Sequence, residues 1–457
     1  MLAIVVSRAD SASVHIGEQL RARASWTEHT DGTRTDADGG GTVYRTEGAE
    51  LREFDDLHLH LDGVASAFGT VDEGPEREAG LLAFASRHAG ETGPLLTAHH
   101  TGNFGPADHG GADGELAAAA PNATAEALDA LTRHAPDGYE TGLECTHHGP
   151  TDVGCPSLFV EVGSDEPQWD DPDAARAVAR TILDLRGVSP DAERSVVCFG
   201  GGHYAARPER VVRETDWAVG HIAADWCLDD LGDPDTPTAR ATLDAAFTES
   251  GASHALVEGD HPDLVAVLED LRHRVVGETY LRETTGVPQA TVERAEAELC
   301  RVGEGLRFGD RAPGYAGPLT AVELPAGLVT ECEGIDRERT REAVDSRTVA
   351  VTTTENGTLV DDRALFPATD AEAAAEIRAE LVGELVAVLR ERYDGVSVHA
   401  DAVVARRTAF DPEKARTLGV PEGPAFGKLS AGETVEVNGR VIEPGAVRSE
   451  EELRFPL

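Results

Sequence analysis

The chain is nearly without lysine. Of its 40 basic residues only Lys414 and Lys428 are lysines, against 84 acidic side chains, and the formal net charge is −44 over 457 residues. A protein that binds polyanions ordinarily shows a basic footprint, and none is visible here. The acidic excess is spread along the whole length, a pattern of adaptation to molar salt, where carboxylates hold water and counterions and the Debye length shrinks to about 3 Å. Charge then reports habitat rather than partner, and a nucleic-acid substrate stays open. Long apolar runs are also missing. Nothing approaches the roughly 18 consecutive apolar residues of a membrane span, and the start, MLAIVVSRADSAS, has no charged segment followed by a long apolar one. A cytoplasmic protein with no membrane contact is expected. The six cysteines are scattered and form no CxxC pair, which excludes a disulfide framework and points to reduced thiols. Cys145 and Cys155 are outlying candidates for a metal shell.

What the chain does have is histidine at the ends of apolar segments. The densest stretch is TGLECTHHGPTDVGCPS, residues 141–157, with Glu144, Cys145, His147, His148, Asp152 and Cys155 close together. Gly149-Pro150 stops regular structure just after the histidine pair. One imidazole of such a pair could hold a metal or take a proton while the other is fixed by packing; a polar turn with two surface histidines is the other reading. The segment GPLLTAHHTGNFGPADHGG, 93–111, reads as a strand running into a glycine-rich loop that carries His99, His100, Asn103, Asp108 and His109. SVVCF, 195–199, is a further strand feeding Gly200-Gly201-Gly202-His203-Tyr204. Three glycines after a strand let a ligand approach closely and could cradle a phosphate or carboxylate with their amides. This is neither a dinucleotide fingerprint nor a Walker loop.

The connecting segments alternate. LAIVV at 2–6 reads as a buried strand leading to a helix start at Asp10 and Ser11; residues 123–135 read as an amphipathic helix; LFVEV, with Glu161 inside it, as a strand; and 172–186 as a helix capped by aspartates. His58 and His60 alternate with leucines as if on a strand with an exposed face, and ETDWAVGHIAADWCL reads as a helix with a buried, satisfied His221. Strand–helix alternation predicts an α/β fold. Open α/β sheets place ligand sites at strand ends, so three or four such ends on one sheet edge would bring His99, Glu144, His147, His148 and His203 into a single cleft. The second half differs: helices are predicted at 263–276, 290–302 and 371–392, and Asn356-Gly357 and Asn438-Gly439 signal hairpins.

Several of these segments together resemble one family. SRADSAS near the start, SRH at 86–88, LTAHHTGNFG at 96–105, ECTHHGPT at 144–151, GGGHY at 200–204 and GHIAADW at 220–226 are similar, in the same order, to the archaeal and plant type of D-aminoacyl-tRNA deacylase. The likeness covers residues 1 to about 235. The chain departs from the family pattern at Ala89-Gly90, where arginine and serine usually follow SRH, and at His100-Thr101, where threonine and proline usually follow the histidine; both leave His99 in register.

The resemblance implies a three-layer αβα sandwich of the phosphorylase/hydrolase kind, one or two zinc ions per subunit, and hydrolysis of the ester joining a D-amino acid to the 3′ end of tRNA. The chain is expected to divide into a catalytic domain, 1–310, and an α+β extension, 311–457, and to be a monomer rather than an obligate oligomer. On this reading His99, His147, His203 and Glu144 are metal ligands, and His148, with Glu144, handles the proton of an attacking water. Asn103, Gly200, Gly201, Gly202 and Tyr204 are expected to hold the terminal adenosine or the aminoacyl carbonyl. Two other functions fit the same residues: a zinc peptidase or nucleoside-type hydrolase acting on a small molecule, and a noncatalytic tRNA-binding protein whose histidines are structural.

Overall fold

The computed structural model describes residues 1–69 and 78–457, which fall into two compact units, Met1–Arg282 and Glu283–Leu457. In the first unit β1 (Leu2–Ser7), α1 (Ser11–Arg23), β2 (Thr27–Asp31), β3 (Gly41–Thr46), β4 (Ala49–Phe54), β5 (Leu81–Arg87), β6 (Leu95–His99), α2 (Pro121–His134), β7 (Glu140–Leu143) and β8 (Ser157–Gly163) come first. They are followed by α3 (Glu166–Trp169), α4 (Pro172–Asp184), β9 (Ser195–Phe199), α5 (Ala206–Glu214), β10 (Ala218–Ala223), α6 (Asp225–Leu231), α7 (Pro237–Glu249), β11 (His254–Val257), α8 (Pro262–Asp270) and β12 (Arg274–Val276). Eight strands form one mixed sheet in the order β2-β3-β4-β1-β5-β8-β6-β7, and four form a parallel sheet, β10-β9-β11-β12. This is the expected α/β sandwich, with further sheets in the C-terminal unit.

The burial pattern explains the layering. β1, β5 and β8 are almost wholly buried, as strands covered on both faces must be. One face carries α1, α2 and α4; Asp10 caps α1 by accepting from the backbone N–H groups of Ala12 and Ser13. On the opposite face Ala3, Val5, Phe84 and Phe159 pack against Val64, Ala67 and Phe68. Side chains alternate between faces with period two, so Ser86 and His88 follow Phe84 onto this second face, and Glu161 follows Phe159. β6 runs antiparallel to β8 with His99 opposite Phe159 and Thr97 opposite Glu161. The polar residues of three strands therefore share this second face of the sheet.

At the other edge β2, β3 and β4 carry a buried ion network. Arg52, with no exposed surface, donates to Glu50 and Asp31 at 2.6 Å each and to the Gly39 carbonyl at 2.7 Å, while Arg45 donates to Glu50 at 2.8 Å.

The second unit holds an antiparallel sheet of strands Leu306–Phe308, Ala350–Thr354, Leu359–Phe366 and Thr320–Glu323, and a three-stranded sheet of Gly395–Val398, Ala402–Phe410 and Arg448–Pro456. The long helix Ala371–Leu389 is where the sequence predicts it and supplies Leu381, Leu385 and Leu389 to the core. Both Asn-Gly signals sit at turns between paired antiparallel strands. The boundary expected at 310/311 falls inside this unit, because Leu306–Phe308 pairs with Ala350–Thr354. No helix among the described residues is long and apolar enough to cross a membrane.

Three local expectations are corrected. Residues His58–His60 form a single 3₁₀ turn rather than a strand, with His58 buried and His60 exposed. Residues 218–223 form β10, not a helix; every residue is buried, and a short continuous apolar run does not distinguish strand from helix by periodicity. The helix expected over 263–276 ends at Asp270, and Arg274–Val276 adds the edge strand β12.

Candidate active site

The turn after β7 is the hub. Glu144 donates its backbone N–H to Ala98, Cys145 to His203 and Thr146 to Ile222, so this turn is stitched to β6, to the glycine turn and to β10. His148 takes a left-handed backbone, φ 47°, uncommon for a bulky side chain. It is held there by Gly102, whose N–H donates to the His148 carbonyl at 2.9 Å. Gly149 must be glycine: a Cβ there would lie 2.4 Å from Gly110 and Gly111 backbone atoms. The sequence reading of a rigid turn at Gly149-Pro150 therefore has a packing cause.

Three imidazoles converge from this turn and from β6. One ring nitrogen from each of His99, His147 and His148 lies within 4.8 Å of the others. The Nδ1 of each faces a backbone carbonyl, His100 for His99 (3.0 Å), Cys145 for His147 (2.8 Å) and Gly149 for His148 (2.7 Å). A carbonyl only accepts, so Nδ1 carries the proton and Nε2 presents a lone pair. Burial, with His99 adding to it, pushes the His147 pKa down to about 3, and burial holds His148 well below its usual value. Both are neutral at pH 7, the state a metal ligand requires. For His99 burial acts downward, but Glu161 at 3.7 Å and Glu144 outweigh it and raise the pKa.

A second group adjoins the first. His203 Nε2 is 2.8 Å from Glu144 Oε2, and His88 Nδ1 is 3.1 Å from Glu144 Oε1 and 3.9 Å from Glu161. Burial would raise the Glu144 pKa, but hydrogen bonding to His203 and His88 and the charges of His99 and His147 hold it well below the usual carboxylate range. His203 Nδ1 also meets the Cys145 sulfur at 3.4 Å. Above these groups opens a cavity of about 340 Å³, lined by Asp10, Arg87, His88, His147, His148, Glu161 and His203 among others. One buried polar atom beside it, His99 Nε2, has no hydrogen-bond partner, and Glu144 Oε1 meets only the His88 ring, at 3.1 Å. Unsatisfied buried polar atoms are costly, and a nitrogen-and-carboxylate donor set with orphaned lone pairs fits a divalent metal of the zinc kind.

The other expected residues fall around this cluster. Tyr204 lies at its rim, its hydroxyl 3.0 Å from His88 Nε2. Asn103 is tied into its own loop, its amide donating to Gly110 and Ala112. The Gly200 amide donates to Ala223 and the Gly201 amide to the Asp225 carboxylate, so the expected cradle of free amides is not formed at these two glycines. His100 and His221 are buried and satisfied: His100 donates to Gly220 and accepts from Thr124, and His221 donates to Ala117 and accepts from Thr146. Cys155 packs in the apolar core.

Comparison with known proteins gives the family. A family model described as D-aminoacyl-tRNA deacylase matches residues 75–276. Curated proteins named D-aminoacyl-tRNA deacylase are similar over the full length: 56% identical in Natronomonas pharaonis, with 100% of both chains covered, and 52% in Haloarcula marismortui, again with 100% of both covered. The chain belongs to the D-aminoacyl-tRNA deacylase family. A solved structure described as a conserved protein of unknown function shares the fold, with a TM-score of 0.55 and 24% identity over 62% of this chain and 98% of the other.

In this deacylase fold, sequence reasoning missed His88 and Glu161 as members of the cluster. Their signal was present: Phe84, Ser86 and His88 alternate, as do Phe159 and Glu161, and a carboxylate inside an apolar strand needs a partner. Gly163 is the complement of His88, since a Cβ at that position would come within 2.7 Å of the His88 side chain. Arg87, at the cavity wall, lies over the Trp169 ring at 4.9 Å.

Proposed function

We propose that this protein hydrolyses the ester bond of D-aminoacyl-tRNA, giving free D-amino acid and tRNA, in the cavity above Glu144 and the histidines. The observation that carries the reading is the convergence of three imidazole lone pairs on one buried point beside two carboxylates. His99, His147 and His148 are the residues that would hold a zinc ion. Relative to the sequence expectation, His148 and His203 exchange roles: His148 stands with His99 and His147, whereas His203 is bonded to Glu144. Bound there, zinc would act as a Lewis acid and lower the pKa of water toward neutrality.

The chain's own groups handle the proton. The attacking water's proton is held between Glu144 Oε2 and His203 Nε2, 2.8 Å apart, and returns to the departing ribose oxygen. His88 positions the same carboxylate from its other side. Glu161, 3.7 Å from His99 Nε2 and 3.9 Å from His88 Nδ1, is the second carboxylate of the pocket. Tyr204 fixes the His88 ring and borders the entrance.

The test is release of amino acid from matched D- and L-aminoacyl-tRNA in molar KCl, with and without chelator. Selective release from the D-substrate, lost on chelation and restored by Zn²⁺, is expected. Release unaffected by chelator would remove the metal from the reading, and no preference for the D-substrate would remove the assignment itself. Failure of deacylated tRNA to compete would favour a hydrolase of small molecules.

A further inference from the structure

Five large hydrophobic side chains are well exposed among the described residues: Tyr204, Trp226, Val398, Val441 and Leu453. Only two are aromatic, Tyr204 at 41% and Trp226 at 44% exposure. The Tyr204 ring lies 5.0 Å from the His203 ring and 5.7 Å from that of His88. Trp226 is close enough to the Cys145 thiol to interact with it, and that sulfur is 3.4 Å from His203 Nδ1. The two rings also stand on segments fixed to each other: Asp225 donates its N–H to the Gly201 carbonyl at 2.9 Å, and Gly201 donates to the Asp225 carboxylate at 3.1 Å. Trp217, by contrast, is buried against His254 and Tyr280 and serves the core.

An exposed tyrosine and tryptophan, on segments tied to each other beside the histidine cluster, suit an occupant that is flat and apolar on its faces. Resting on the reading that aminoacyl-tRNA is the substrate, we propose that Tyr204 and Trp226 form a stacking platform for the unpaired bases at the 3′ end of the tRNA. The ester is on the terminal nucleotide, so these bases necessarily lie next to the cavity. Single-stranded nucleic acid is commonly held by stacking on aromatic faces. Phosphate contacts are the usual alternative, but the 40 basic residues are outnumbered by 84 acidic ones, and counterion release loses its driving force in molar salt. Stacking keeps working there.

Binding of deacylated tRNA in molar KCl tests the platform. Trp226→Ala and Tyr204→Ala should each weaken it roughly tenfold, within the range of base–aromatic stacking. Trp226→Phe and Tyr204→Phe should keep most of the affinity; the latter retains the ring but removes the hydroxyl that meets His88. A cytidine-cytidine-adenosine trinucleotide should quench the indole fluorescence of the wild-type protein, and that quench should vanish in Trp226→Phe. Each alanine change should lower kcat/KM for D-aminoacyl-tRNA by about tenfold more than for a D-amino acid methyl ester. Unchanged tRNA affinity in both alanine variants, or equal losses on tRNA and methyl ester, would overturn the platform. If the wild-type protein released no D-amino acid from D-aminoacyl-tRNA, the underlying functional reading would fail instead.

Discussion

On the proposed reading His148 and His203 separate two jobs that the sequence alone leaves interchangeable. Both follow predicted strand ends, yet His148 Nδ1 is anchored on the Gly149 carbonyl while His203 Nε2 is anchored on Glu144. His148→Ala should therefore lose bound zinc and turnover together, whereas His203→Ala should keep most of its zinc and lose turnover by on the order of 10²–10⁴-fold. Metal content by mass spectrometry beside single-turnover kinetics decides it; a zinc-replete but inactive His148→Ala would return His148 to the role of base. Elsewhere a histidine acts only on stability. Burial holds the His221 pKa down to about 3, against about 6.5 for a free imidazole. Because the folded pKa is the lower one, between these values the unfolded chain binds a proton that the folded chain does not, so stability rises with pH. Denaturant titrations from pH 6.5 to 5 should show His221→Gln losing stability less steeply than wild type, by up to about 1.4 kcal/mol per pH unit. Parallel slopes would mean that His221 is protonated in the folded state.

At the scale of elements, the edge formed by β2, β3 and β4 depends on a charge with no exposed surface. Arg52 is enclosed by Asp31, Glu50 and the Gly39 carbonyl, with its guanidinium 5.6 Å from the Phe68 ring centre. Arg52→Met would remove the guanidinium that Glu50 and Asp31 share, leaving Glu50 with Arg45 alone, and should cost about 3–5 kcal/mol by urea titration; a change under about 1 kcal/mol would show that water enters the network. The network is not visible in the sequence, where the Thr-, Asp- and Gly-rich stretch 27–50 reads as a surface excursion or irregular hairpin, because the pairs join residues up to 21 apart across three strands. The strands and helices that carry the site are legible from local patterns: LAIVV, SVVCF and the helices at 121–134 and 172–184 all lie within a few residues of expectation. Sheet order is not legible locally. β6 lies antiparallel to β8, which places Glu161 in mid-strand beside His99, so the ends of the strands read from sequence yield His99, Glu144, His147, His148 and His203 but pass over Glu161, and His88 is passed over because the strand it follows, Leu81–Arg87, is not among those read. The Gly200-Gly201-Gly202 turn misleads for a related reason, since the groups that bond the first two amides, Ala223 and Asp225, come from a segment read as helix.

The whole molecule carries one property that no element owns. Removing the two lysines from 40 basic residues leaves 38 arginines facing 84 carboxylates. Arginine is the more weakly hydrated cation and bonds carboxylates in a fixed fork, and the surface uses it so, as in Arg406–Glu452 at 2.7 Å and Arg407–Glu451 at 2.9 Å across neighbouring strands. Such pairs are half-exposed and contribute little individually, so they cannot offset a net charge of −44. In dilute buffer, with a Debye length of about 10 Å, the unpaired carboxylates repel one another across the surface; in molar salt, at about 3 Å, each is screened from all but its nearest neighbours. The melting temperature should therefore rise with KCl, by on the order of 10 °C between about 0.1 M and a few molar, given that each kcal/mol is worth roughly 2–4 °C in a domain of this size. Sucrose, which favours the compact state without screening charge, should raise it less. A melting temperature flat or falling in KCl would show that the acidic surface is already relaxed at low salt, and the argument that charge here reports surroundings rather than partners would fall with it.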